Sequence, residues 1–360
     1  MMNEISFKAT KVFHEIWGAV NEKVSDGKNM AHRYKLIVEE GSSRSSKTWS
    51  NFQVLFLYLM EYPLTSITVL RDTQKSCRDI VEKDWKLWLK DPNNRKKEYE
   101  RGEIEISELD KLLAKENLTQ LFTENKTNHI WTLKHNGNVI RFTGLDDEDD
   151  AMGMTQTICW INEPYNFSHE VYRQLAQRSK FIIFDWNPKQ NHWIEKEKLK
   201  KDTFVHYSTF RDNPFISMES KRQILSYQPL KYCQLVTSKV LTEAEAKIYN
   251  VETNPKNFSP TEIKELNRCV YNEQVGSSSE YHWLVYGLGL KAEKPNKIYR
   301  NWKAITLEDY KDVAKHGYTR YYGLDYGFAN PTACVEVIYD GDMSFYIRPL
   351  LYKPMREMTA

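Results

Sequence analysis

Apolar residues recur three and four apart between Lys8 and Val20, the spacing of a helix with one buried face. Tyr34–Glu40 (YKLIVEE) is a short apolar run ending at Gly41 and predicts a strand. After a Ser-rich turn, Trp49–Met60 is almost wholly apolar and predicts a buried helix. Ser66–Leu70 predicts a second strand, and Cys77–Leu89 a helix with apolar residues three and four apart. Helices and strands thus alternate up to Leu89, which points to an α/β fold with a largely parallel sheet flanked by helices. Further strands are expected at Val139–Thr143, Thr157–Ile161 and Phe181–Phe184. Tyr321–Leu324, Ala333–Tyr339 and Ser344–Leu351 predict a meander, and Asn250–Pro260 and Gly276–Ser279 read as loops. The main boundary is expected between Leu290 and Tyr318. That gives one domain over 1–290, a linker over 291–317 and the start of another over 318–360.

Composition changes this picture little. At 360 residues, 41% hydrophobic and 28% charged, the chain has room for two domains with a sizeable core. No apolar run approaches the roughly 20 residues needed to span a bilayer, and Met1–Thr10 lacks the apolar stretch of a signal peptide. The five cysteines are scattered, with no C-x-x-C pair, so a zinc site is not expected. Net charge is only +2, so any nucleic-acid contact must be local. Trp85–Arg101 and Lys189–Lys201 are locally basic with interleaved aromatics. They read either as such contacts or as solvated helix faces.

The sharpest chemistry lies at Gly41-Ser42-Ser43-Arg44-Ser45-Ser46-Lys47-Thr48, which follows a strand and opens a helix. Amides at a helix N-terminus cradle phosphate oxygens in this setting. Lys47 is placed to reach the β- and γ-phosphates of ATP, and the Thr48 hydroxyl to ligate Mg²⁺. The loop departs from the usual pattern at Ser46, where glycine is normal; a Ser-rich turn capping a helix is the plainer alternative. A second acidic element belongs at the end of another strand, and Thr157–Glu163 (TICWINE) offers one. Glu163 is the candidate base. Asn162 occupies the place of the metal-holding acid, where it can hydrogen-bond a metal-bound water but supplies no charge.

Taken in order, GSSRSSKT (41–48), TVLRDTQKSCRDIV (68–81), IRFTGLDDEDDAMGMTQTICWINEP (140–164) and FDWNPKQNHW (184–193) resemble segments of tailed-phage terminase large subunits, of the PBSX/SPP1-like type. HYSTFRDNPFIS (206–217), YHWLVYGLGLKAEKPNKIYRNW (281–302) and YYGLDYGFANPTA (321–333) continue the likeness. The resemblance implies a P-loop NTPase followed by the opening of an RNase H-like nuclease domain. It also implies an ATP-driven motor that moves double-stranded viral DNA into a procapsid. Arg44 aligns with an arginine that meets charge growing on the γ-phosphate, and Asn187 with a motif coupling nucleotide state to domain movement. Implied partners are the viral DNA, a small terminase subunit and the portal protein. A homo-oligomeric ring docked on the portal in the host cytoplasm is implied as well. The stretch at about 218–256 is an insertion relative to the family, with no role legible in it.

Asp325, closing Tyr322-Gly-Leu-Asp-Tyr-Gly327, aligns with the first metal-holding carboxylate of the nuclease, which takes two Mg²⁺ or Mn²⁺ ions. One aspartate cannot hold two such ions. Asp340 and Asp342 lie at the far end of the hairpin, roughly 20 Å away at about 3.3 Å per residue. The sequence thus predicts an ATPase whose nuclease is incomplete in this chain and does not cut DNA. Two other readings compete. One is a different P-loop DNA-dependent ATPase of helicase or repair type, whose downstream motifs are not found. The other is an inactive decayed fragment, which Ser46, Asn162 and the stop at Ala360 favour.

Overall fold

The computed structural model describes residues 7–25, 30–145, 153–188, 192–292, 303, 305–326, 331–342 and 344–354. The chain divides into two compact units, Met1–Pro295 and Asn296–Ala360.

In the first unit, helix α1 (Lys11–Asn21) begins where the Thr10 hydroxyl accepts the Phe13 amide at 3.2 Å. It buries Val12, Phe13, Ile16, Ala19 and Val20 along one stripe. A hairpin of β1 (Lys23–Ser25) and β2 (Met30–His32) follows, then β3 (Leu36–Gly41) and helix α2 (Lys47–Glu61). The remaining strands are β4 (Ser66–Arg71), β5 (Phe122–Asn125), β6 (Ile130–Leu133) and β7 (Val139–Gly144). After them come β8 (Gln156–Asn162), β9 (Ser179–Trp186) and β10 (Thr203–Ser208). Together they make one eight-stranded sheet in the order β10-β3-β9-β8-β4-β7-β6-β5. Pairing is parallel from β10 to β7, while β6 and β5 add an antiparallel edge. The expected mainly parallel α/β sheet is therefore present.

The central strands are largely apolar along their middles because both faces are covered. Alternate residues divide between two cores. Ile37, Ile67, Val69, Ile158, Trp160, Phe181 and Ile183 pack with α1, α2 and the helical run 74–90. Leu36, Val38, Leu70, Cys159, Ile161, Ile182 and Phe184 pack on the other face with Val171, Tyr172 and Leu175 of the helix His169–Arg178. Helix Cys77–Leu89 of the sequence reading is a longer run, Gln74–Ser76 and Lys83–Lys90 joined through a π-helical segment, Cys77–Glu82.

Trp85 and Trp88 are fully buried and stacked, ring centroids 5.2 Å apart, so the two tryptophans of that basic stretch serve the core, while Tyr99 is exposed. In Lys189–Lys201, residues 189–191 lie outside the described residues. Ile194 is buried, and Lys198 and Lys200 are ion-paired with Glu40 and Glu197.

The unassigned stretch after Ser217 folds as short helices. Met218–Ser226, Gln234–Thr237, Glu243–Ile248 and Pro260–Gln274 surround a small core of Leu230, Cys233, Leu235, Leu241, Ala246, Leu266 and Cys269. Here two cysteines far apart in sequence meet. The Cys233 and Cys269 sulfurs and a Glu265 carboxylate oxygen all lie within 4.8 Å of one another.

The second unit holds the helix Leu307–Ala314 and an antiparallel meander of β11 (Thr319–Asp325), β12 (Pro331–Tyr339) and β13 (Phe345–Pro354). Its buried polar centre is Glu336, which accepts hydrogen bonds from the Tyr310 and Tyr322 hydroxyls, each at 3.0 Å.

Candidate functional site

The site grows out of sheet register. On the face that carries Ile37, Ile183 and Trp160, the next residue outward on each strand is polar: Glu39 on β3, Asp185 on β9 and Asn162 on β8. Register pairs Glu39 with Asp185 and Asp185 with Asn162. His206 on β10 extends the same row beside Glu39. The row lies at the carboxyl ends of parallel strands, where α/β sheets bind ligands.

The loop from β3 into α2 closes over this row. Gly41 is required because a Cβ there would fall 2.0 Å from the Ser208 carbonyl oxygen of β10. The Ser42 amide donates to that same carbonyl at 2.9 Å, and the Ser42 hydroxyl accepts the Phe210 amide at 2.7 Å. Arg44 and Ser46 both take left-handed backbone, φ 60° and 75°. The usual glycine at the Ser46 position is thereby explained, and a serine there costs about 1–2 kcal/mol. The Arg44 side chain stands exposed at the cleft while its carbonyl accepts Asn213 Nδ2 at 2.8 Å.

Lys47, 7% exposed, donates to the Ser42 carbonyl at 2.9 Å, Ser45 Oγ at 3.1 Å and Asn187 Oδ1 at 3.1 Å. Burial lowers its pKa, and Asp185 and Glu39 oppose that. Asn187 also donates through Nδ2 to Ser43 Oγ at 3.2 Å and is braced by the Tyr165 hydroxyl, which donates to its carbonyl at 2.8 Å. The residue aligned with the coupling motif thus touches both the loop and its lysine. Thr48 Oγ1 donates to Asp185 Oδ2 at 3.1 Å.

Asp185 is 2% exposed and also accepts Trp160 Nε1 at 2.9 Å and the Asn162 amide at 2.9 and 3.0 Å. Burial raises its pKa, against the pull of these donors and Lys47. Glu163, left-handed at φ 55°, follows β8, its amide donating to the Asp185 carbonyl at 2.9 Å. Arg71, closing β4, donates to Glu163 Oε2 at 2.6 Å and to Asn162 Oδ1 at 3.0 Å. Ser42–Thr48, Asn162, Glu163, Asp185 and Asn187 line a cleft of about 610 Å³, together with Asp84, Lys97 and Asn213. That is the size range of a nucleotide-sized site.

The structure therefore gathers Ser42–Thr48, Asn162, Glu163 and Asn187 around one cleft, with Gly41 at the loop's base. Asp325 lies in the other unit, at the end of β11 opposite Ala333. Sequence reasoning missed three groups. Asp185 stood in a quoted motif, two residues before Asn187, and strand alternation alone would have set it on the same face. Arg71 closed a recognised strand, but only the β4–β8 pairing shows that it reaches Glu163. Glu39 looked like an ordinary polar strand end. The groups present fit a nucleotide with Mg²⁺: a buried ammonium in a cradle of left-handed backbone, and a threonine hydroxyl beside a buried carboxylate.

Residues 95–235 match a family model described as phage terminase large subunit. The matched stretch takes in β8, Glu163, β9 and Asn187, but not the loop 41–48. No curated protein sequence matches the chain. Among solved structures, the large terminase of a thermophilic bacteriophage is similar at TM-score 0.48 and 16% identity, over 94% of this chain and 68% of that one. The large terminase of bacteriophage HK97 is similar at 0.41 and 12%, over 95% and 67%. The large terminase ATPase domain of Thermus phage P74-26 reaches 0.34 and 13%, over 49% and 78%. It is over residues 95–235 that this chain matches the phage terminase large subunit family.

Proposed function

We propose that this chain is the ATP-hydrolysing motor subunit that drives double-stranded viral DNA into a procapsid. The observation that carries the reading is the setting of Lys47. Its ammonium is buried at the mouth of a strand–loop–helix turn and held by two loop acceptors and by Asn187. In that position it meets the β- and γ-phosphates, and bound phosphate competes for the contact with Asn187. Nucleotide binding would in this way reach the strand-end segment after β9. Thr48 would help hold Mg²⁺, which would supply positive charge to offset that of the phosphates. Arg44, exposed at the cleft, is the cation that would meet charge developing on the transferring phosphoryl group. Glu163 is the group to orient and deprotonate the attacking water, and Arg71 fixes its carboxylate. Asp325 is proposed as the first carboxylate of a metal-dependent nuclease site. The small subunit, the portal and a ring of copies complete the proposed assembly, docked at the procapsid in the host cytoplasm. Among the described residues no helix is long and apolar enough to cross a membrane.

The test is ATP binding and DNA-stimulated turnover by the purified chain, with Lys47→Ala beside it. Loss of both in the variant is expected; unchanged affinity and turnover would sink the assignment.

A further inference from the structure

We infer that the negative charge missing at Asn162 has moved one strand over, and that Asp185 is the carboxylate holding Mg²⁺ beside Thr48. The inference rests on the nucleotide reading above and deepens it. A P-loop site needs one acid next to the loop hydroxyl to hold the metal shell. On β8 that place is filled by Asn162, a neutral amide. Register sets Asp185 of β9 directly opposite it, on the same face of the sheet. Asp185, not Asn162, takes the Thr48 hydroxyl, at 3.1 Å.

The remaining contacts explain why the exchange is self-consistent. Asn162 Nδ2 donates to both oxygens of Asp185, at 2.9 and 3.0 Å, and its own Oδ1 accepts Arg71 Nη1 at 3.0 Å. An amide can donate to the carboxylate and accept from the guanidinium at once; an ionised acid can only accept. With a carboxylate at 162, two acids would face each other in a buried row that already contains Glu39. Trp160 Nε1, one alternation inward on β8, supplies a second neutral donor at 2.9 Å. These donors orient Asp185 without neutralising it. The Lys47 ammonium acts on both Asp185 and Glu39, while Arg71 pairs with Glu163. A divalent cation beside Thr48 would supply the charge this row lacks.

The experiment reads metal dependence of binding rather than turnover. A fluorescent ATP analogue is titrated into the full chain in excess EDTA and again in Mg²⁺. The wild type should bind more tightly with Mg²⁺, by about tenfold or more, the scale on which groups around a metal act. Asp185→Asn should bind the metal-free nucleotide and lose the Mg²⁺ enhancement. The exchanged double variant Asn162→Asp/Asp185→Asn, which returns the acid to β8, should regain it. Full enhancement in Asp185→Asn overturns the assignment while leaving the nucleotide reading intact. A wild type that binds no nucleotide in either condition overturns both. If Asp185→Asn does not fold, Asp185→Ser takes its place: loss of the Mg²⁺ enhancement with metal-free binding kept supports the assignment, and an enhancement unchanged from the wild type overturns it.

Discussion

Glu39 allows the sharpest energetic test of this site, because its carboxyl is buried with almost nothing to hold its charge. It is fully inaccessible, and neither oxygen has a hydrogen-bond partner among the described residues. Asn51 lies near enough to favour the ionised form, but without a well-formed hydrogen bond. Burial first, and then the neighbouring Asp185, push its pKa well above the ordinary glutamate value; Asn51 and Lys47 pull the other way. His206, across the β3–β10 pairing, is itself kept towards its neutral form by burial. A raised folded-state pKa means full stability below the unfolded value of about 4.3, and stability lost as pH climbs above it. Each unit is worth about 1.36 kcal/mol, so a carboxyl still protonated at pH 7 costs the fold a few kcal/mol there at most. At pH 5 the same arithmetic allows only about 1 kcal/mol.

Glu39→Gln has the shape of the protonated acid and no ionisation in the unfolded chain. It should therefore stabilise the first unit at pH 7 by up to roughly 3–4 kcal/mol, and by much less at pH 5. Urea unfolding followed by the fluorescence of the buried Trp85, Trp88 and Trp160 reports on that unit. A variant with the same stability offset at both pH values, or one that is less stable at neutral pH, would refute the reasoning.

Three further outcomes follow from particular contacts. Glu163→Gln should leave ATP binding largely intact and cut turnover by about a hundredfold or more; equal loss in binding and turnover would remove Glu163 from the role of base. Ser46→Gly should relieve the left-handed strain at φ 75° and raise stability by about 1 kcal/mol, read as a higher urea midpoint at unchanged slope. Asn162→Asp replaces the donor to Asp185 by a second acid and should destabilise the first unit by roughly 1–3 kcal/mol at neutral pH. A more stable Asn162→Asp chain would mean that Asp185 is not ionised in the folded protein.

Much of the fold was legible in sequence because its signals are local. Unbroken apolar runs at 36–38, 158–161 and 181–184 follow from strands covered on both faces, and such runs need no knowledge of the partner strand. The same holds for the loop 41–48, whose chemistry is carried by neighbours in sequence: a strand, a turn, a lysine and a hydroxyl at the mouth of a helix. The helices after Ser217 were missed because their small core is assembled from apolar residues dispersed among many polar ones. Cys233 and Cys269 looked unrelated for the same reason. The aromatics of 85–88 misled in the opposite direction, since basic neighbours made a core segment look like a surface.

What only the tertiary structure decided is which strand stands beside which. The order β3-β9-β8-β4 cannot be read from chain order, because non-local pairing depends on the whole set of faces that must be buried together. That order sets Asp185 beside Asn162 and Glu39, and brings Arg71 to Glu163. By itself the sequence determined that a serine-rich loop carries a lysine and a threonine into a helix, and that an acid follows an apolar strand. The sheet decided which carboxylate faces the threonine, because side chains on adjacent parallel strands meet by register and not by distance along the chain.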